Sequence, residues 1–141
     1  MSTPTQGAGI GRPLEIVFRV DVMTVSLANE HAHWRVRQRR AKHQRLQTRL
    51  TWIATCGVKG RPLYTGECAR VVLTRHSRGR LDSDNLPVSM KSIRDEIAAC
   101  LGIDDRSDRV EWLYRQASDG KGVEARITIW QAQPSLLEAQ W

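Results

Sequence analysis

Five apolar residues, Leu86, Met90, Ile93, Ile97 and Leu101, advance by four, three, four and four positions, a spacing that an α-helix turns into one buried stripe. Pro87 in the first turn and Gly102 just past the end punctuate a helix from about Asn85 to Leu101. Such a stripe needs a surface to cover, and strand-like segments flank it. Leu14, Ile16, Phe18, Val20 and Val22 alternate with Glu15, Val17, Arg19 and Asp21, the period of a half-buried strand. Cys68–Thr74 is Val-rich, as strands are. Arg109–Gln116 and Val123–Trp130 form two more, and the Ser118–Gly122 stretch between them predicts a hairpin. From about His31 to Thr55 the chain lacks Gly and Pro and is rich in Arg, Gln, Ala and Leu, which predicts an earlier helix. Its apolar positions (Trp34, Val36, Ala41, Leu46, Leu50, Ile53) make only a loose stripe, so most of it should face water. The order β-α-β-α-β-β predicts an α+β fold: a single domain with a mixed β-sheet and two helices, spanning 14–131. Residues 1–13, rich in Ser, Thr, Gly and Pro, read as a disordered lead-in, and 132–141 as a C-terminal tail.

Charge is unevenly distributed along this frame. Between His31 and Gly66 there is no Asp or Glu, yet Arg35, Arg37, Arg39, Arg40, Lys42, Arg45, Arg49, Lys59 and Arg61 lie there. From Asp82 to Glu111 the balance reverses, with Asp82, Asp84, Asp95, Glu96, Asp104, Asp105, Asp108 and Glu111 facing only Lys91, Arg94, Arg106 and Arg109. A net charge of +7 points to a polyanionic partner, nucleic acid first. A pure binding module has no need of the acidic half. His31, His33 and His43 lack metal-ligand spacing and read as phosphate contacts or surface groups, and Asp95 and Glu96 as a solvated helix face.

Three cysteines, Cys56, Cys68 and Cys100, are widely spaced with no CxxC pair, which supports neither a zinc knuckle nor a disulfide framework. No apolar run approaches the roughly 20 residues of a membrane span, and Met1–Pro13 lacks the order of a secretory signal. A cytoplasmic, reducing location is the expectation.

Asp82 and Asp84 sit two apart before the second helix; in extended backbone both carboxylates would point to one side and reach one cation. Asp104 and Asp105 follow the same helix. Hard oxygen ligands suit Mg²⁺, with Mn²⁺ as a substitute, and such a metal activates water against a phosphodiester. The competing reading is that Asp82 and Asp84 cap the helix and complement its dipole. A straight helix of about 17 residues separates its ends by roughly 25 Å. For the second pair to join the first, the chain must fold back, the helix must be short or bent, or a second subunit must contribute.

Leu81-Asp82-Ser83-Asp84-Asn85-Leu86, then a helix, then Leu101-Gly102-Ile103-Asp104-Asp105, resembles the RusA family of Holliday-junction resolvases in its phage-like members. Asn29 with His33-Trp34 and the Arg-rich run, and Glu111-Trp112 with Gln116, extend the likeness to about residues 14–131. The resemblance implies a RusA-like homodimer that nicks four-way junctions and other branched DNA in recombination and repair, as a Mg²⁺-dependent endonuclease of bacterial or phage type. Asp82, Asp84 and Asp105 would be the catalytic, metal-binding carboxylates. Asn85, Asn29, His33, Arg35, Arg37, Arg39, Arg40, Lys42 and Arg45 would meet DNA. Members often carry a Lys one turn after the second Asp; here that position is Val88, and Lys91 is the nearest candidate for a catalytic lysine. Two readings compete: a less selective branched-DNA nuclease, and a non-catalytic DNA-binding protein indifferent to the carboxylates. An RNA-binding module lacks its aromatic platform or GxxG clamp. Apolar groups at Val110, Trp112, Tyr114, Ile127 and Ile129 exceed what one helix face covers, which favours two-fold pairing of chains.

Overall fold

The structure, a computed structural model, describes residues 13–24, 33–57, 68–104 and 106–130. Its elements run β1 (Leu14–Val20), α1 (Trp34–Cys56), β2 (Cys68–His76), α2 (Asn85–Ser89), α3 (Lys91–Leu101), β3 (Val110–Ala117) and β4 (Gly122–Trp130). The class is α+β as expected, with a four-stranded mixed sheet and three helices where two were expected. The expected second helix is broken at Met90, which takes φ −113° and ψ 14° while its N–H donates to Pro87 O at 3.1 Å. This tightened step lets Leu86, Met90 and Ile93 all stay buried. Gly102 ends α3 in the left-handed conformation, and Ile103 N–H reaches back to Ala98 O at 3.0 Å, satisfying a carbonyl the helix leaves open.

Strand order is β1-β4-β2-β3. β4 pairs antiparallel with both β1 and β2, and β3 lies parallel to β2 at the edge. The expected β3–β4 hairpin is therefore wrong: β2 lies between the two strands. Burial explains the order. β4 alternates apolar residues at full burial (Val123, Ala125, Ile127, Ile129) and needs neighbours on both sides, whereas β3 is half-buried along most of its length. Residues 118–121 bridge a gap of two strand spacings, roughly 10 Å, over the end of β2. Ser77 N–H donates to Ala117 O at 3.1 Å, and His76 Nδ1 lies 3.2 Å from Asp119 Oδ1.

One face of the sheet is the core face. Register aligns Ile16, Ile127 and Val71 in one row and Phe18, Ala125 and Leu73 in the next. α1 packs against β1 and α3, with the Trp52 ring meeting Phe18 edge-on at 6.1 Å. α3 sets Ile93, Ile97 and Leu101 into the core with no exposed surface. The opposite face carries a charged ladder: Arg126 bonds Glu15, Arg70 NH2 meets Glu111 at 3.1 Å, and Arg19 donates to His76 Nε2 at 2.8 Å. Ile127, Ile129 and Val110 are engaged in the chain's own core, and Trp112 and Tyr114 pack against it. The apolar excess from which pairing of two chains was expected is thus covered from within.

α1 differs from its sequence reading in which side it buries. Gln44, Thr48 and Trp52, four apart, face inward, while Trp34, Val36, Leu46 and Leu50 are exposed. Gln44 holds its place by donating to Met23 O at 2.7 Å, and Thr48 by bonding Gln44 O at 2.7 Å. Glu96, expected on a wet face, is only 4% exposed and accepts from Arg45 at 3.2 Å and Arg49 at 3.0 Å. Beside it, Cys100 Sγ lies 3.8 Å from Glu96 Oε2, and burial together with that carboxylate pushes the thiol up to about 11. Because the thiolate reacts, Cys100 in the folded protein should alkylate roughly a hundredfold more slowly at pH 8 than in the unfolded chain. Peptide mass spectrometry after iodoacetamide treatment, with and without urea, checks this; equal rates would place Cys100 outside the core.

Candidate functional site

Of the carboxylates expected to share a metal, Asp82 and Asp84 are among the described residues and Asp105 is not. Asp82 is exposed, and its backbone carbonyl accepts from Asn85 N and Leu86 N, each at 3.0 Å. Asp84 is the N-cap of α2, yet its φ of −75° and ψ of −33° are helical and its side chain makes no capping bond. The extended geometry that would aim both side chains together is therefore absent. So is a side-chain cap: the main chain of Asp82 does the capping. Asn85, expected beside DNA, is the half-buried first residue of α2. Asp104 lies beyond α3, where its Oδ1 accepts from Arg106 N at 2.9 Å, and it lines a cleft with Arg45, Lys91 and Asp95. Asp105 lies outside the described residues, as does Asn29. Among the described residues no group of three His, Cys, Asp or Glu side chains is placed to hold a metal ion.

Lys91 begins α3, away from the loop of Asp82, and its ammonium meets Asp95 at 2.8 Å. His33 caps α1, accepting from Arg35 N at 3.1 Å, and leans on Trp34 with ring centroids 5.5 Å apart. The Arg35 guanidinium lies 5.4 Å from the same ring. Arg37, Arg39 and Lys42 are exposed on α1, Arg40 is half-buried, and Arg45 turns to Glu96.

A cleft of about 360 Å³ opens between the first half of α1 and the α2–α3 junction. Trp34, Arg37 and Ala41 form one wall, at the i, i+3, i+7 spacing of a single helix face; Val88, Ser89, Lys91 and Ser92 form the other. Arg40 also borders it, so three cationic side chains surround the space, and no described residue of the lining is a carboxylate. Sequence reasoning marked the arginines but missed the cleft. The wall from α1 follows from helical spacing; the opposing wall is formed by residues on both sides of the α2–α3 junction.

No family model matches the chain, and no curated protein matches it. Among solved structures it is similar to an IspF of Plasmodium falciparum in complex with CDP, at 10% identity over 89% of this chain and 97% of that chain, with a TM-score of 0.38. It is also similar to a 2C-methyl-D-erythritol 2,4-cyclodiphosphate synthase from Plasmodium vivax, at 15% identity over 67% of this chain and 57% of that chain, with a TM-score of 0.30. Likeness this distant transfers no chemistry to the chain.

The expected RusA resemblance is not borne out, because no family model and no curated protein of that kind matches the chain. The reading as a Holliday-junction endonuclease of recombination and repair falls with it, as does branched DNA as the partner. The motif misled for a physical reason. Asp-x-Asp-Asn before a helix is also ordinary punctuation, and here Asp82 and Asp84 occupy the turn and the N-cap that start α2. No helix among the described residues is long and apolar enough to cross a membrane.

Proposed function

We propose that this chain binds a phosphorylated ligand in the cleft between α1 and the α2–α3 junction. The observation that carries this reading is the convergence of Arg37, Arg40 and Lys91 on one space whose described lining residues include no carboxylate. Arginine and lysine donate charge-assisted hydrogen bonds to phosphate oxygens, and a small anion can meet three such groups at once only where the fold brings them together. The remaining cations of α1, Arg35, Arg39 and Lys42, add a positive field that draws an anion in.

Calorimetric titration with inorganic pyrophosphate tests the proposal. Binding should weaken with added salt, and each of Arg37→Ala, Arg40→Ala and Lys91→Ala should cost roughly tenfold in affinity. No binding at millimolar pyrophosphate, or an unaltered affinity in the triple variant, would overturn it.

A further inference from the structure

Trp34 gives the cleft a feature that phosphate alone does not need. Its indole lines the opening and is 51% exposed, an unusual amount for so large an apolar group at the start of a helix. His33 and Arg35 lean on the ring and hold it in place at the helix N-terminus. A flat aromatic surface therefore stands on the same helix face as Arg37, one turn along. Across the space, Lys91 and Ser92 begin α3, and Gln38 and Ser92 add groups that both donate and accept hydrogen bonds.

We propose that the cleft takes a nucleotide, its base stacked on Trp34 and its phosphates held by Arg37, Arg40 and Lys91. This rests on the phosphate-binding reading above and specifies its substrate class. Charge complementarity favours the phosphate end, since Arg37, Arg40 and Lys91 line the cleft and none of its described lining residues is acidic. The exposed ring favours a planar aromatic end, because every base offers a π-face to stack. Size agrees: a cleft of about 360 Å³ lies in the range that holds one small ligand.

The test compares ADP with inorganic pyrophosphate at one ionic strength. ADP should bind roughly tenfold more tightly. Trp34→Ala should lower ADP affinity roughly tenfold more than pyrophosphate affinity, and Trp34→Phe should keep most of the ADP advantage. Contacts in NMR spectra between adenine protons and the Trp34 indole would report the stacking directly. Equal affinity for the two ligands, or an ADP advantage that survives Trp34→Ala, would overturn the nucleotide assignment. If neither ligand binds, the phosphate-binding reading itself has failed; if pyrophosphate binds without discrimination, only the nucleotide assignment has.

Discussion

Gly122→Ala is expected to lower the stability of this protein by about 3 kcal/mol, seen as a fall in the urea midpoint with little change in slope. Gly122 begins β4 where the chain arrives from across the end of β2, and it takes φ +93°. A side chain at that φ is strained in itself. The added Cβ would also lie 2.6 Å from Val20 O, with Val20 C at 3.5 Å and Asp21 Cα at 3.6 Å. All three are backbone atoms, so no side chain can swing aside; β1 or the start of β4 has to shift. That shift disturbs the pairings of Val20 with Val123 and of His76 with Gly122, where the two central strands meet the crossover. Gly79→Ala is the internal control: a Cβ there has nothing within 4 Å, so its effect should be small. Equal stability for the two variants would show that the β1–β4 corner has room for a side chain.

The second large effect is expected at Glu96. Its carboxylate is 4% exposed and takes both Arg45 and Arg49, whose side chains are 51% and 60% exposed. Either arginine alone still compensates the charge, so each single change to Ala should cost about 1 kcal/mol or less, as exposed partners do. Arg45→Ala/Arg49→Ala removes both and leaves a buried carboxylate opposed by neither, at a cost of about 3 kcal/mol. The loss should exceed the sum of the singles, because the two share one partner. Glu96→Gln in the doubly substituted background removes the charge that has become unfavourable, and should recover part of the loss. Simple additivity in urea denaturation would mean that Glu96 reaches water once the arginines are gone.

The sequence by itself determined which segments are strands and helices, and which residues α3 buries. Period-2 and period-3.6 patterns are local, so the alternation from Leu14 to Val22 marked a strand that runs Leu14–Val20, and the stripe from Leu86 to Leu101 lies in the core. The positions of the cations were equally plain. Three things were decided only in three dimensions. Strand order was one: a turn signal at Ser118–Gly122 states that the chain reverses, but not which strand it then joins, and β4 took the central place because its apolar residues need cover from both neighbours. The buried side of α1 was another. Its inward residues are Gln44, Thr48 and Trp52, two of them polar, because internal hydrogen bonds and one large ring satisfy that face better than Leu46 and Leu50 could from the opposite side. The third was the site. Asp82, Asp84, Asp105 and Lys91 look like one constellation when written in a line, but Lys91 borders a different cleft from the loop of Asp82, and Asp105 lies outside the described residues. Arg37, Arg40 and Lys91, up to 54 residues apart in sequence, converge instead, because α1 packs across α3.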